Sequence, residues 1–253
     1  MKIIFDDKFC NSDYASDCAS EKGRIEAIVE GLSQESSFSY AKPHPAEECD
    51  LLRAHSKDYV EKIRQNPPLF QMASLAAGAA IMAAETAFDG ETSFACCRPP
   101  GHHASREVSW GYCVFCNMGV ALKKLQSSKK INSAFVLDFD AHTGDGTMDV
   151  LKDFSNCQVF NPYREDREEY LKEIEEKLKS VEQTDIVGVS AGFDTYIKDV
   201  GRKLTTFDFY QIGFQLKKFS MRAASGRRFA ILEGGYYIPD LGKNVLAFCQ
   251  GFA

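Results

Sequence analysis

The chain has 253 residues, 44% hydrophobic and 26% charged, which is enough apolar content for one domain to bury a full core. Its 30 Lys and Arg against 36 Asp and Glu leave a net charge of −6, so there is no positive excess to hold a polyphosphate backbone and no nucleic acid is expected as a partner. No membrane is expected either, because the most apolar stretch, residues 72–87, carries Glu85 and falls short of the roughly 20 apolar residues a bilayer span needs.

Nine cysteines at irregular spacing are too few for a disulfide scaffold and read as reduced thiols used as small buried hydrophobes. Cys113 and Cys116 form a lone C-x-x-C without a second pair, so buried strand thiols are expected there rather than a zinc knuckle or redox pair. The N-terminus turns acidic at Asp6-Asp7, where a secretory peptide would continue its apolar run. A cytoplasmic protein is expected.

In chain order, short apolar runs bounded by turn or charged residues predict strands at 2–5, 93–97, 133–139, 157–160, 185–189 and 229–232. Amphipathic stretches predict helices near 21–34, 73–88, 117–126, 164–178, 206–222 and 241–248. There is no repeat, low-complexity tract or long linker, so residues 1–253 read as a single α/β domain with a parallel sheet covered by helices on both faces. Such sheets place ligands beyond the carboxyl ends of their strands, and unusual residues follow four of the predicted ones.

After the 93–97 run come Arg98-Pro99-Pro100-Gly101-His102-His103-Ala104, holding two of only five histidines. In a Gly-preceded loop both imidazoles can reach one cleft and share acid and base work near neutral pH. A surface His-His pair or a second metal pair are the rival readings, and His44 and His55, which lack such company, read as structural. After the 133–139 run, Asp138, Asp140 and His142 alternate toward a Gly-rich turn, and period-2 spacing puts them on one side of a strand. A divalent cation is the simplest neutraliser of buried carboxylates, so Asp140 and His142 lead as metal ligands. A solvated strand end, or a phosphate loop at Gly144-x-Gly146, stands as the alternative.

Val187-Gly188-Val189-Ser190-Ala191-Gly192-Phe193-Asp194 then offers a lone carboxylate that would complete a three-ligand site with an open position, or else cap a helix. Such a site takes Zn²⁺ by default, with Fe²⁺ or Co²⁺ chemically acceptable. Last, Leu232-Glu233-Gly234-Gly235-Tyr236-Tyr237 breaks a strand end with two glycines and presents an aromatic hydroxyl, from Tyr236 or Tyr237, to a developing oxyanion.

These segments, in this order and together with W-G-Y-C-V-F-C-N (110–117) and Gly201-x-x-Leu204-Thr205, resemble the zinc-dependent histone deacetylase family, including its prokaryotic amidohydrolase, acetoin-utilisation and acetylpolyamine branches. The resemblance covers roughly residues 90–251 and is weak before that, through Arg24, Ala54-His55-Ser56 and Tyr59. It implies a single-domain, three-layer arginase/deacetylase-like fold and a hydrolase that removes acetyl or another short acyl group from a lysine side chain or other primary amine. By the family's pattern Asp140, His142 and Asp194 would hold the metal, and His102 and His103 would flank its water. Asp138 and Asp145 would orient those rings, and Tyr236 would be the transition-state tyrosine. His103 is taken as the general base and His102 as its electrostatic partner.

The resemblance also makes Gly111 and Tyr112 a wall of the acyl-lysine tunnel, and implies a structural K⁺ held by Asp138 and the backbone carbonyls of Asp140 and His142. Three departures stand out. Position 143 is Thr where many relatives carry His; the stretch Asn161-Pro162-Tyr163-Arg164-Glu165-Asp166 replaces a longer Gly-rich loop, which should leave the site more open, with Tyr163 as the candidate for a second tunnel aromatic; and residues 67–98 lack the insert of dimeric acetylpolyamine enzymes. The implied substrate is an acylated lysine peptide or small acylated amine. An acetylpolyamine, a non-catalytic acyl-lysine binding module and an arginase-like two-metal site are the other readings, and oligomeric state is not set by the sequence.

Overall fold

The computed structural model describes residues 1–253. Its strands are β1 (Lys2–Ile4), β2 (Ser39–Ala41), β3 (Ser93–Ala95), β4 (Ala134–Asp138), β5 (Cys157–Phe160), β6 (Val187–Ala191) and β7 (Arg228–Leu232). All pair in parallel, in the order β2-β1-β3-β7-β6-β4-β5. Every residue of β3, β4, β6 and β7 is buried, the pattern of strands covered on both faces, which therefore read as continuous apolar runs rather than alternating ones.

The cover is made by α1 (Arg24–Leu32), α2 (Glu48–Ala54), α3 (Lys57–Arg64), α4 (Pro67–Phe88), α5 (Asn117–Ser127), α6 (Asp145–Leu151), α7 (Arg167–Ser180), α8 (Thr206–Ala223) and α9 (Ile238–Phe252). Helices α1, α7, α8 and α9 pack on one another, and α2 to α6 form the other set. Three layers result. One apolar core of 58 residues runs through sheet and helices, and a satellite of 14 surrounds Tyr59, Phe115 and Val150.

All six expected strands and six expected helices are present, with ends shifted by a few residues. The strand carrying Asp138 stops at that residue; Asp140 and His142 lie in the bend beyond it, so period-2 alternation does not carry them. Cys113 and Cys116 are buried as expected, but in a loop, where Cys116 caps α5 by accepting the Gly119 N–H at its Sγ, 3.3 Å away. Helix α4 begins earlier than its apolar stretch, with Pro67-Pro68 in its first turn. At 22 residues it is long and apolar enough to cross a bilayer, yet it is mostly buried within the protein, against β1, β3, β7 and α5. His55 is structural: its Nδ1–H donates to the Ser105 carbonyl at 2.9 Å and its Nε2 accepts the Cys116 N–H at 2.9 Å.

Because the strands are parallel, the carboxyl ends of the four neighbours β3, β7, β6 and β4 open on one edge of the sheet. The segments that follow them hold residues 98–103, 233–236, 192–194 and 140–142.

Candidate active site

Beyond β4 the backbone turns sharply, with the Asp140 N–H donating to Asp138 Oδ1 at 3.2 Å. This brings the Asp140, His142 and Asp194 side chains together, with ligand atoms within 4.8 Å of one another. His142 Nδ1 lies 3.0 Å from Asp140 Oδ1 and 3.1 Å from Asp194 Oδ2. A ring nitrogen carries at most one hydrogen, so it can satisfy only one of these oxygens. Asp194 Oδ2 is indeed buried without a hydrogen-bond partner. Two buried carboxylates, one imidazole and an orphaned oxygen facing a common point are the donor set of a divalent cation. The backbone leaves room for it: a Cβ on Gly192 or Gly234 would come within 2.1 and 2.5 Å of Asp140 Oδ2.

With the carboxylates unneutralised, the Asp140 hydrogen bond and the Asp194 carboxylate beside it hold the His142 imidazole up at about 10, and burial, reinforced by the Asp140 charge, pushes Asp194 up to about 7. Both shifts mark an excess of negative charge at this point.

The loop after β3 delivers the two histidines. His102 is 4% exposed and His103 3%, and their rings lie 3.9 Å apart. His102 Nδ1–H donates to Asp138 Oδ2 at 3.1 Å, with its Nε2 3.7 Å from Asp140 Oδ1, and His103 Nδ1–H donates to Asp145 Oδ1 at 2.7 Å, which fixes the His103 tautomer and leaves its Nε2 free. Burial lowers both rings. For His102 the Asp140 and Asp138 carboxylates outweigh it and hold the ring well above its ordinary value. For His103 burial wins, joined by the His102 charge, and the ring falls to about 4. The outer histidine is thus the neutral one, with an Nε2 lone pair available as a base.

After β7, Gly235 (φ +122°) makes the turn and Tyr236 follows. Burial raises the Tyr236 phenol well above its ordinary range, so its hydroxyl stays a donor. Opposite it, Gly111 and Tyr112 both take left-handed backbone (φ +58° and +70°), a strain tolerated at Tyr112 where a side chain must be aimed. The Tyr112 ring meets the Tyr236 ring edge-on at 5.9 Å. A cavity of about 300 Å³ is lined by Cys18, His102, His103, Gly111, Tyr112, His142, Val200 and Tyr236, among others.

Of the expected site residues, Tyr163 is not brought to this cavity. It is 67% exposed and lines a separate one beyond His142, because the short 161–166 stretch runs directly into α7. Val200 stands on the open side instead. Asp138 and Asp145 lie behind the histidines, Thr143 is exposed, and Tyr237 points away from the cavity lining.

Three supporting residues had no expected role. Glu233 Oε2 accepts the Gly101 and His102 N–H groups at 2.7 and 3.2 Å, pinning the histidine loop. Burial pushes that carboxyl up to about 7. Asp199 grips the tyrosine loop, and Trp110 covers His103. Glu233 and Trp110 lie inside the quoted motifs; a lone Asp five residues past Asp194 carries no signal of its own. Arg24, fully buried, braces the same loop by donating to the Gly235 and Glu233 carbonyls at 2.8 and 2.6 Å. His102, Cys113 and Glu233 form a second buried cluster, in which Cys113 Sγ accepts the His103 N–H at 3.4 Å and burial holds the thiol well above its usual range.

Comparison with known proteins agrees with this geometry. Residues 65–170 match the family described as the histone deacetylase domain. A probable deacetylase of Methanothermobacter thermautotrophicus is 28% identical over 90% of this chain and 84% of its own length. The polyamine deacetylase HDAC10 of Danio rerio is 25% identical over 81% of this chain, which spans only 39% of that protein. Among solved structures, the HDA15 HD domain superposes with a TM-score of 0.87 at 19% identity, covering 98% of this chain and 88% of that one, and so shares the fold. Site, fold and relatives coincide, and the chain is a hydrolytic deacetylase similar to the histone deacetylase family.

Proposed function

We propose that this protein removes acetyl, or a similarly short acyl group, from lysine side chains, using a zinc ion held by Asp140, His142 and Asp194. The observation that carries the reading is the convergence of His102, His103, His142 and Tyr236 on one cavity, beside a three-residue donor set with an orphaned oxygen.

Bound there, the metal would lower the pKa of a water toward neutrality and polarise the amide carbonyl. His103 Nε2 takes the water's proton and later returns one to the leaving amine, while Asp145 holds the ring through Nδ1. His102, held between Asp138 and Asp140, is its electrostatic partner. The Tyr236 hydroxyl donates to the oxyanion as it develops. Tyr112 grips the alkyl stem, with Val200 on the other wall. The wall left open by Tyr163 favours a lysine on an extended peptide over a narrow polyamine channel. Nine free cysteines support a reducing, cytoplasmic setting.

Turnover of a fluorogenic acetyl-lysine peptide is to be measured beside N-acetylputrescine, with zinc-loaded and metal-stripped protein. Metal-dependent cleavage of the peptide, reduced about 10²- to 10³-fold in kcat by Tyr236→Phe, is the expected result. Cleavage of the polyamine alone would move the substrate; no cleavage of either would reject the assignment.

A further inference from the structure

Trp110 is the chain's one tryptophan, and it sits where the rim of the cavity meets the outer histidine. Its ring stacks on the His103 imidazole, with centroids 3.6 Å apart and planes inclined by 28°. Its indole N–H donates to Asp145 Oδ2 at 2.9 Å. The other oxygen of that carboxylate, Oδ1, accepts from His103 Nδ1 at 2.7 Å. One side chain therefore touches both members of the pair, the ring by its face and the carboxylate by its free oxygen.

The fold does not require a tryptophan here. Trp110 is 51% exposed and belongs to neither apolar core. Asp145 opens α6 with its side chain half exposed, so without the indole its second oxygen would face water and the carboxylate could rotate away from Nδ1. The far side of the His103 ring is already bounded, because a Cβ on Gly111 would fall 2.7 Å from His103 Cδ2 and the His102 ring lies at 3.9 Å. Trp110 is the remaining wall.

We propose that Trp110 is a positioning residue for the general base: it holds the His103 ring plane by stacking and the Asp145 carboxylate by a hydrogen bond, and so aims His103 Nε2 at the reacting amide. The inference rests on His103 being the base. Small misplacement of a catalytic group costs on the order of 10²-fold in rate, and the indole controls two of the contacts that prevent it.

The test uses the metal-loaded full chain with Trp110→Phe, which keeps a stack and loses the N–H, and Trp110→Leu, which loses both. On the acetyl-lysine peptide kcat should fall about tenfold for Trp110→Phe and about a hundredfold for Trp110→Leu, with KM within about twofold. Adding Trp110→Leu to His103→Ala should cost nothing further, because the tryptophan acts through that ring. A second readout needs no turnover. In wild type one indole face is covered by His103, so His103→Ala should raise quenching of the lone tryptophan's fluorescence by acrylamide. An unchanged kcat, a loss confined to KM, or a loss additive with His103→Ala overturns the proposal, as does unchanged quenching in an active enzyme. If His103→Ala raises quenching but wild type cleaves no acetylated amine, the stack stands and the deacetylase reading, with the catalytic sense of the positioning, falls.

Discussion

A single oxygen of Asp199 holds the Tyr236 loop in place: Oδ2 accepts the backbone N–H groups of Tyr236 and Tyr237 at 2.6 and 2.7 Å, while Oδ1 accepts from Val200 at 2.7 Å. The carboxylate is 9% exposed and is not itself part of the cavity lining around the histidines. Its effect on the chemistry runs through where the phenol stands.

Replacing Asp199 with Ala should therefore lower kcat about 10- to 100-fold with KM nearly unchanged, since it displaces a donor that matters only as the oxyanion forms. Leaving two amides without their acceptor should also cost about 1–3 kcal/mol of stability. Steady-state kinetics beside urea unfolding checks both, and a rise in KM alone would contradict the assignment.

Asp194→Asn should change stability in opposite directions with and without metal. In stripped protein it relieves the repulsion between two buried carboxylates and should raise the melting temperature. In zinc it removes a ligand and should abolish the metal-induced increase, which for wild type is about 2.7 kcal/mol at a hundredfold excess over Kd. Thermal melts of both proteins, with zinc and with chelator, decide the matter; a stripped variant less stable than wild type would count against the donor set.

Gly234→Ala tests whether that glycine serves the turn or the ligands. The turn belongs to Gly235, with φ +122°, whereas a Cβ on Gly234 would lie 2.5 Å from Asp140 Oδ2 and 2.8 Å from Asp194 Cγ. The substitution should weaken zinc binding by about 10- to 100-fold, the range seen when groups that orient ligands are altered. Competition with a chromophoric chelator measures it, and wild-type affinity would show that the ligands can move aside.

Acid should destabilise the protein through His55. Burial holds its imidazole down at about 4, and its Nε2 must stay unprotonated to accept from Cys116. The unfolded chain takes up a proton near 6.5 that the folded chain refuses until about 4. The stabilisation is thus complete above pH 6.5 and is lost as the pH falls through that window, by at most about 3 kcal/mol. Denaturant unfolding from pH 7.5 to 4.5 should show a steeper decline for wild type than for His55→Gln; parallel declines would exclude His55.

The layers, the parallel sheet and the clustering of Asp140, His142 and Asp194 were legible because each rests on a run of residues: apolar strands at 134–138, 187–191 and 228–232, and polar residues soon after them. What sequence missed is short or acts at a distance. Strand β2, Ser39-Tyr40-Ala41, is three residues long and unburied on its outer edge, so it has no apolar signature. Helices α2, α3 and α6 have seven, eight and seven residues, two turns each, too few for a periodic stripe. Asp199, Glu233 and Trp110 act by holding other residues, and such partnership appears only when the chain is folded. Tyr163 shows the opposite limit, an aromatic of suitable chemistry carried away from the cavity by the helix that follows it.

The strand order turns the sheet into a ruler for the site. Ligands from β4 and β6 come from adjacent strands, about 4.8 Å apart, so their side chains meet without help. The histidines start from β3, three spacings or roughly 14 Å from β4, and the chain must cross over the ends of β7 and β6 to bring His102 to Asp138. Glu233, at the end of β7, stands along this crossing and pins its far end at Gly101 and His102. Seven residue steps lead from Ala95 to His102, and extended they reach roughly 24 Å, which leaves slack for the bend at Gly101 but little for deletion. The length of this crossing is therefore a constraint as strict as the identity of the histidines it carries: insertions elsewhere on the surface can be absorbed, whereas shortening residues 96–101 would leave both histidines out of reach of Asp138 and Asp145.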